Sequence, residues 1–254
     1  MLEFVFLGTG GAAQIPVWGC TCNACQRATK DAAKQRKPAS AMLTTPNGNT
    51  LVDAGRTDLA ELFAPSDIQR IILTHFHMDH VQGLFHLRWG NIDHAIPVFR
   101  PNDPKGCDDL YKHPGCLAFQ TPLTAFECVE FDLFTATPVP LQHSKPTFGY
   151  VIQAKSTRLA YLTDTSGIAD ETADFLNQTP LDILILDCAE PPRKERPRNH
   201  NDLNEALRIA QRLQPKQTFL THISHTLENW LDENPGSLPA NVTLAYDGMR
   251  ISLN

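Results

Sequence analysis

The chain has 254 residues, is 42% hydrophobic and carries a formal charge of -6, with a pI near 5.9. That length and apolar content are enough to bury a sizeable core without disulfides, and the acidic balance argues against a surface built to track a nucleic-acid backbone. No apolar run reaches the length of a membrane span and the start, MLEFVFLGTGG, lacks the features of a secretory signal, so a cytoplasmic protein with no membrane partner is expected. The seven cysteines, an odd number, read in a reducing compartment as thiols or metal ligands.

Leu2 to Leu7 alternates and is rich in Phe and Val, which predicts a strand, followed by a tight turn at Gly8, Thr9, Gly10 and Gly11. No Gly-Lys-Ser or Gly-Lys-Thr follows, so a turn is expected rather than a phosphate cradle. GCTCNAC then places Cys20, Cys22 and Cys25 where three thiolates can converge on one zinc ion, with a fourth ligand to come from elsewhere. Arg27 to Lys37 reads as a basic, solvated face. Ala41 to Thr45 and Thr50 to Asp53 form a predicted hairpin around Pro46, Asn47 and Gly48.

The apolar run IQRIIL ends in THFHMDH, which sets His75, His77, Asp79 and His80 within six residues. A loop leaving a strand can turn His75 and His77 toward one cation and Asp79 and His80 toward a second, and imidazole with carboxylate suits zinc, manganese or iron. A helix over VQGLFHLRW and a strand at IPVF are expected next, and the Pro- and Gly-punctuated segment to residue 128 gives few signals. His86, His94 and His113 fall outside the spacing pattern and read as surface or hydrogen-bonded residues; Cys107, Cys116, Cys128 and Cys188 read as free thiols.

Beyond Pro138, FGYVIQA and RLAYLTD predict a hairpin, Asp170 to Asn177 a helix, and DILILD a buried strand. Asn201 or Asp202 can cap a helix through LNEALRIAQRL, with Glu205 placed as in a capping box and Pro215 closing it. Six apolar runs end in a ligand-type residue: Asp53, His75, His143, Asp164, Asp187 and His222. Strands that all deliver an acid or an imidazole at their ends build a shared polar site along one edge. Asp53 fits a carboxylate that orients a ligand histidine, or a structural strand end; Asp187 could do either. In the last loop His222 and His225 stand three apart, so one can face the THFHMDH loop while the other turns away, which makes His225 the candidate fourth ligand of the cysteine cluster. His200, just before the helix cap, can lean into the site as a general acid.

With those residues placed, the chain resembles the metallo-β-lactamase superfamily, whose H-x-H-x-D-H motif and later His, Asp and His it reproduces in order. NHNDLNEALRIAQRLQPKQTFLTHISH is similar to the closing region of the tRNA 3′-processing endonucleases. HMDHVQGLFHLRWG, GCDDLYKHPG, HSKPTFGY, PRNHNDLN and THISH, together with GCTCNAC, resemble the phosphoribosyl cyclic phosphodiesterases of the carbon-phosphorus lyase pathway. The resemblance implies a single αββα sandwich over residues 1–254 and a zinc-stapled loop around residues 20–25. It further implies a homodimer and hydrolysis of 5-phosphoribosyl 1,2-cyclic phosphate to ribose 1,5-bisphosphate, with 2′,3′-cyclic nucleotides as further substrates. On the same grounds His75, His77 and His143 hold a first manganese or zinc ion, Asp79, His80 and His222 a second, and Asp164 bridges them, with one structural zinc on Cys20, Cys22, Cys25 and His225. A metal-dependent ribonuclease of the tRNA-processing type shares this ligand set but needs a basic surface for long RNA, a thioester or lactam hydrolase would use the same metals, and a non-catalytic zinc-binding interaction protein would lack a ligand.

Overall fold

In a computed structural model, residues 2–195 and 197–253 are described. The strands, in chain order, are β1 (Leu2–Gly8), β2 (Ser40–Thr45), β3 (Gly48–Val52), β4 (Ile68–Ile72), β5 (Ile96–Phe99), β6 (Leu117–Phe119), β7 (Val129–Phe131), β8 (Phe134–Pro140), β9 (Phe148–Ala154), β10 (Thr157–Leu162), β11 (Ile183–Asp187), β12 (Gln217–Thr221), β13 (Val242–Leu244) and β14 (Arg250–Leu253). The helices are α1 (Asn23–Lys30), α2 (Leu59–Leu62), α3 (Met78–Val81), α4 (Leu84–Leu87), α5 (Asp108–Lys112), α6 (Asp170–Asn177), α7 (Leu203–Leu213) and α8 (His225–Glu233). None is long and apolar enough to cross a membrane.

The strands form two seven-stranded sheets, ordered β14-β1-β2-β3-β4-β5-β6 and β13-β12-β11-β10-β9-β8-β7. Alternation along each strand sorts the core into three apolar layers. From β1, Phe4 and Phe6 meet Tyr161 of β10, Ile183 and Ile185 of β11 and Phe219 of β12 between the sheets. The intervening Val5 and Leu7 face the other way, into a layer with Leu59, Val81, Leu84 and Leu110 from α2 to α5. On the second sheet Ala160, Leu162, Leu184 and Leu186 pack on Ala173, Leu176, Ala206, Ile209 and Leu213 of α6 and α7. Helices therefore cover both outer faces, and the architecture is the expected αββα sandwich.

Each sheet changes from antiparallel to parallel pairing partway across: β3, β4, β5 and β6 are parallel neighbours in the first, β10, β11, β12 and β13 in the second. The parallel strands send their C-terminal ends to a common rim, which is where such sheets collect ligands. The expected helix over VQGLFHLRW is reduced to α4 and separated from α3, because the Gly83 N–H donates to the Ala54 carbonyl at 2.8 Å instead of to the preceding helical turn. Asp202 caps α7 by accepting from the Glu205 N–H at 2.8 Å, but Glu205 turns its carboxylate to Arg208 instead of closing a capping box.

The expectation of a solvated face over Arg27 to Lys37 needs correction at Arg36, which is buried. Its guanidinium donates to the Thr9 hydroxyl and the Ala245 carbonyl and pairs with Glu228 of α8. Three partners from distant parts of the chain satisfy the donors of one planar fork, which is how a buried arginine is tolerated.

Candidate metal centre

The candidate ligands stand on loops that leave both sheets at the shared rim. β4 feeds Thr74 to His80, β8 leads to His143, β10 to Asp164, β11 ends in Asp187 and β12 leads to His222. One donor atom from each of His75, His77 and His143 falls within 4.8 Å of the others, and the same holds for Asp79, His80, Asp164 and His222. Asp164 sits between the groups: its Oδ2 is 3.2 Å from His80 Nε2, 3.3 Å from His222 Nε2, and 3.9 Å from both His75 Nε2 and His143 Nε2.

Hydrogen bonds behind the imidazoles decide which nitrogen faces inward. His143 Nδ1 lies 2.9 Å from the Asn199 carbonyl, which can only accept, so Nε2 presents a lone pair to the centre. Asp53 Oδ2 takes the His80 Nδ1 proton at 2.8 Å and also the Thr74 hydroxyl at 2.8 Å, while its Oδ1 accepts from the Thr74 N–H at 2.8 Å. With its hydroxyl proton committed to Asp53, Thr74 Oγ1 accepts from His75 Nδ1 at 3.0 Å. Asp53 therefore orients His80 directly and His75 through Thr74, the outer-shell arrangement that fixes imidazole tautomers at metal sites. Asp53 and His222 both have positive φ, 61° and 60°, an uncommon conformation for residues other than glycine that concentrates at functional sites.

The donor set fits divalent cations on two observations. His75 Nε2 and His143 Nε2 both lie 2.9 Å from His77 Nδ1, so three imidazole nitrogens converge where their lone pairs need a shared positive charge. On the buried His222, Nδ1 has no hydrogen-bond partner and Nε2 stands 3.3 and 3.5 Å from the Asp164 and Asp79 carboxylates without a well-directed bond, although buried polar groups are nearly always satisfied. The local field agrees. Burial opposes a charge on His80, yet the Asp164 and Asp53 carboxylates hold its pKa well above the ordinary value. Burial works against Asp79 too, but His222 and His80 bring it down to about 2. Burial, with the neighbouring His80, drives His75 well below the usual histidine range, keeping it neutral and able to ligate.

His200 adjoins this ligand set, forming a further close group with Asp187 and His222, and is bonded to Asp187. Its Nδ1 is 2.9 Å from Asp187 Oδ2, which also accepts from the Thr165 N–H at 2.9 Å, and the ring stacks on His222 with centroids 4.5 Å apart. Burial disfavours its charged form, but the Asp187 carboxylate outweighs that and raises the pKa to about 9. Asp187, unassigned from sequence, is thus the partner of His200. Its place at the end of ILILD was the available signal. Gly11 was not expected to matter; a Cβ there would lie 2.6 Å from His222 Cε1, so the glycine turn leaves room for that ring.

A second group of donors lies on the loop entering α1, the first turn of α1 and the start of α8. Cys20 Sγ and Cys22 Sγ approach His225 Nδ1 at 3.4 and 3.3 Å, and Cys25 completes a four-residue set within 4.8 Å. Despite the cost of burying a thiolate, hydrogen bonds from the Cys25 N–H, Asn229 and His225 lower Cys22 to about 6. Burial raises Cys25 to about 12. Three sulfurs and one imidazole are four donors of the kinds that can close a structural metal site. His86, His94 and His113 join none of these groups among the described residues.

A family model described as the beta-lactamase superfamily domain matches residues 49–223. A solved structure of a diphosphatase from the PhnP family superposes with a TM-score of 0.83 at 28% identity, covering 98% of this chain and 96% of that one. An octanoyltransferase of Porphyromonas gingivalis is 28% identical over 266 residues, which take in 98% of this chain but 51% of the relative; the chain spans about half the length of that curated relative. The short form of human tRNase Z shares the fold, with a TM-score of 0.69 at 21% identity over 99% of each chain. By the matching family model, the αββα sandwich and the ligand order along the rim, this chain belongs to the metallo-β-lactamase superfamily.

Proposed function

We propose that this metallo-β-lactamase-fold hydrolase is a phosphodiesterase that opens 5-phosphoribosyl 1,2-cyclic phosphate to ribose 1,5-bisphosphate in phosphonate degradation, working as a homodimer. The observation that carries the reading is the pair of donor groups sharing Asp164 beside a histidine whose proton is held by a separate carboxylate, Asp187. Water-side and leaving-group-side chemistry are thereby assigned to different residues. The full-length likeness to a PhnP-family diphosphatase supports phosphoryl chemistry.

His75, His77 and His143 would hold one manganese or zinc ion and Asp79, His80 and His222 the other, with Asp164 between them. Such ions, when bound, supply acidified water and neutralise charge on the phosphoryl oxygens. The residues do the rest. Asp53 and Thr74 keep His80 and His75 in their ligating tautomers, and the Asn199 carbonyl does so for His143. Asp187 accepts the His200 Nδ1 proton, which leaves Nε2–H to donate to the departing ribose oxygen. That oxygen leaves as an alcohol, avoiding a free alkoxide. The donor set on Cys20, Cys22, Cys25 and His225 would hold one structural zinc that ties the N-terminal loop to α8, remote from the chemistry because no ligand position is left open.

A ribonuclease of the tRNA-processing type is the competing reading, favoured by the shared fold with tRNase Z and opposed by the net charge of -6. The manganese-loaded protein is incubated separately with the cyclic sugar phosphate, a 2′,3′-cyclic nucleotide and a tRNA precursor, followed by phosphorus NMR and gel. Rapid opening of the cyclic sugar with intact RNA is the expected result. Cleaved RNA with untouched cyclic sugar would replace this reading with the nuclease one.

A further inference from the structure

The cyclic sugar phosphate carries a second phosphate several bonds from the reacting diester, and the rim offers a cation for it. Lys145 follows His143 and Ser144, and the Ser144 hydroxyl lies 3.4 Å from His77 Nε2 on the side of the ring away from the metal donors. The Lys145 ammonium reaches the turn Asp103 to Gly106, with Nζ 3.3 Å from Asp103 Oδ2 and 3.2 Å from the Gly106 carbonyl. The next residue of that turn, Cys107, has its thiol 3.7 Å from the Phe76 carbonyl, inside the THFHMDH loop. Lys145 thus stands beside the centre, joined to it through both neighbouring loops.

The turn does not need the lysine to close. Asp103 Oδ1 already accepts from the Lys105 and Gly106 N–H groups at 3.1 and 2.9 Å, and the Tyr111 hydroxyl donates to the Asp103 carbonyl at 3.0 Å. The two Lys145 bonds are long for charge-assisted ones, which run at about 2.7–2.9 Å. An ammonium has three donors, and the Lys145 side chain remains 27% exposed. A second cation backs the same turn: the Arg100 guanidinium sits 5.0 Å from the Tyr111 ring centroid, and its buried Nε has no partner. Arg100, Lys105 of the turn itself and Lys145 are three cations against the single carboxylate of Asp103, which leaves this loop cluster with a surplus positive charge.

We propose that Lys145, presented by the Asp103 to Gly106 turn, is a specificity-determining residue that binds a second, terminal phosphate on the substrate. The inference rests on the phosphodiesterase reading and adds that a doubly phosphorylated sugar is preferred over its singly phosphorylated counterpart. The role is one of substrate binding, set apart from the proton transfer assigned to His200.

The test compares 5-phosphoribosyl 1,2-cyclic phosphate with ribosyl 1,2-cyclic phosphate, which lacks the terminal phosphate, in the manganese-loaded wild type, Lys145→Gln and Lys145→Arg. Metal content and thermal midpoint are measured for each. The wild type is expected to prefer the terminal phosphate, and Lys145→Gln to reduce that preference in kcat/KM by about 10- to 100-fold, mostly through KM, as loss of a charge-assisted bond implies. Lys145→Arg should restore part of it. Equal losses on both substrates would assign Lys145 to holding the loop and overturn the inference. A wild type that opens both sugars equally well would also overturn it while leaving the phosphodiesterase reading intact. A wild type that opens neither would remove that reading and this inference together.

Discussion

Replacing Asp53 by Asn isolates the tautomer control that the centre depends on. Asn is nearly isosteric with Asp and tolerates the left-handed conformation, so the φ of 61° at this position should be kept. Its carbonyl can still accept from the Thr74 N–H, now made at 2.8 Å. The amide nitrogen then takes the place of Oδ2, which today accepts from His80 Nδ1 and the Thr74 hydroxyl. A donor facing Nδ1 forces His80 to give up that proton and carry it on Nε2, the nitrogen that looks toward Asp164. His80 then cannot ligate without flipping back against an unsatisfied amide. Loss of such an outer-shell partner costs about 10- to 100-fold in metal affinity, or about 1.4–2.7 kcal/mol. Titration of metal-stripped protein against a competing chelator should show both sites weakened, the one built on Asp79, His80 and His222 directly by that amount, and the one built on His75, His77 and His143 through the reversed Thr74 hydroxyl. Two sites of unchanged affinity in Asp53→Asn would refute the hydrogen-bond assignment.

Three other outcomes follow from the same geometry. Asp187→Asn should lower kcat by about 100-fold or more while both metal equivalents stay bound, because the amide oxygen can still accept from His200 Nδ1 but lacks the carboxylate charge that keeps the ring protonated on both nitrogens; His200→Ala should match it, and an unchanged turnover rate in His200→Ala would remove the general-acid role. Arg36→Met should destabilise the fold by about 3 kcal/mol in urea denaturation, since the largely buried Glu228 is left with only its long contact to Arg27 at 3.8 Å, and adding Glu228→Gln should recover part of that loss. Asp58 is paired with both Nε and a terminal nitrogen of Arg56 at 2.7 and 2.5 Å, and that hydrogen bonding, against some burial, depresses its pKa below the ordinary 3.8. Its stabilising contribution is therefore present at neutral pH and is lost as pH falls through the depressed value. Asp58→Asn should flatten the acid limb of a plot of thermal midpoint against pH below about 4, and an unaltered limb would count against the pair.

Among the candidate ligands His75, His143, Asp164 and His222 were legible because each closes an apolar run, and two-residue periodicity together with a polar terminus is a local signal, while His77, Asp79 and His80 were legible from the spacing of THFHMDH. The two sheets and their helical covers followed from the same alternation. What local pattern did not carry was pairing across the chain. Arg36 sits in a basic stretch that looks solvated, and only the approach of Ala245 and Glu228, some two hundred positions away, makes it a buried tie. Thr74 precedes His75 as an ordinary loop hydroxyl, and its relay role depends on a carboxylate from a neighbouring strand. Asp187 was visible as a strand end but could not be assigned until His200 arrived beside it from the loop before α7. The break between α3 and α4 was missed because the Gly83 N–H bonds the carbonyl of Ala54, in a loop after β3, rather than its own helix.

Each of the two donor groups at the rim draws on both sheets. His75 and His77 come from the loop after β4 and His143 from the loop after β8; Asp79 and His80 come from the first sheet's side and Asp164 and His222 from the second's. Neither set exists until the halves have come together, so a bound cation behaves as a rivet that is driven last. In kinetic terms, interactions absent from the folding transition state slow unfolding and leave the folding rate nearly untouched. Ions should therefore govern how long the assembled sandwich survives, and hardly at all how quickly it forms.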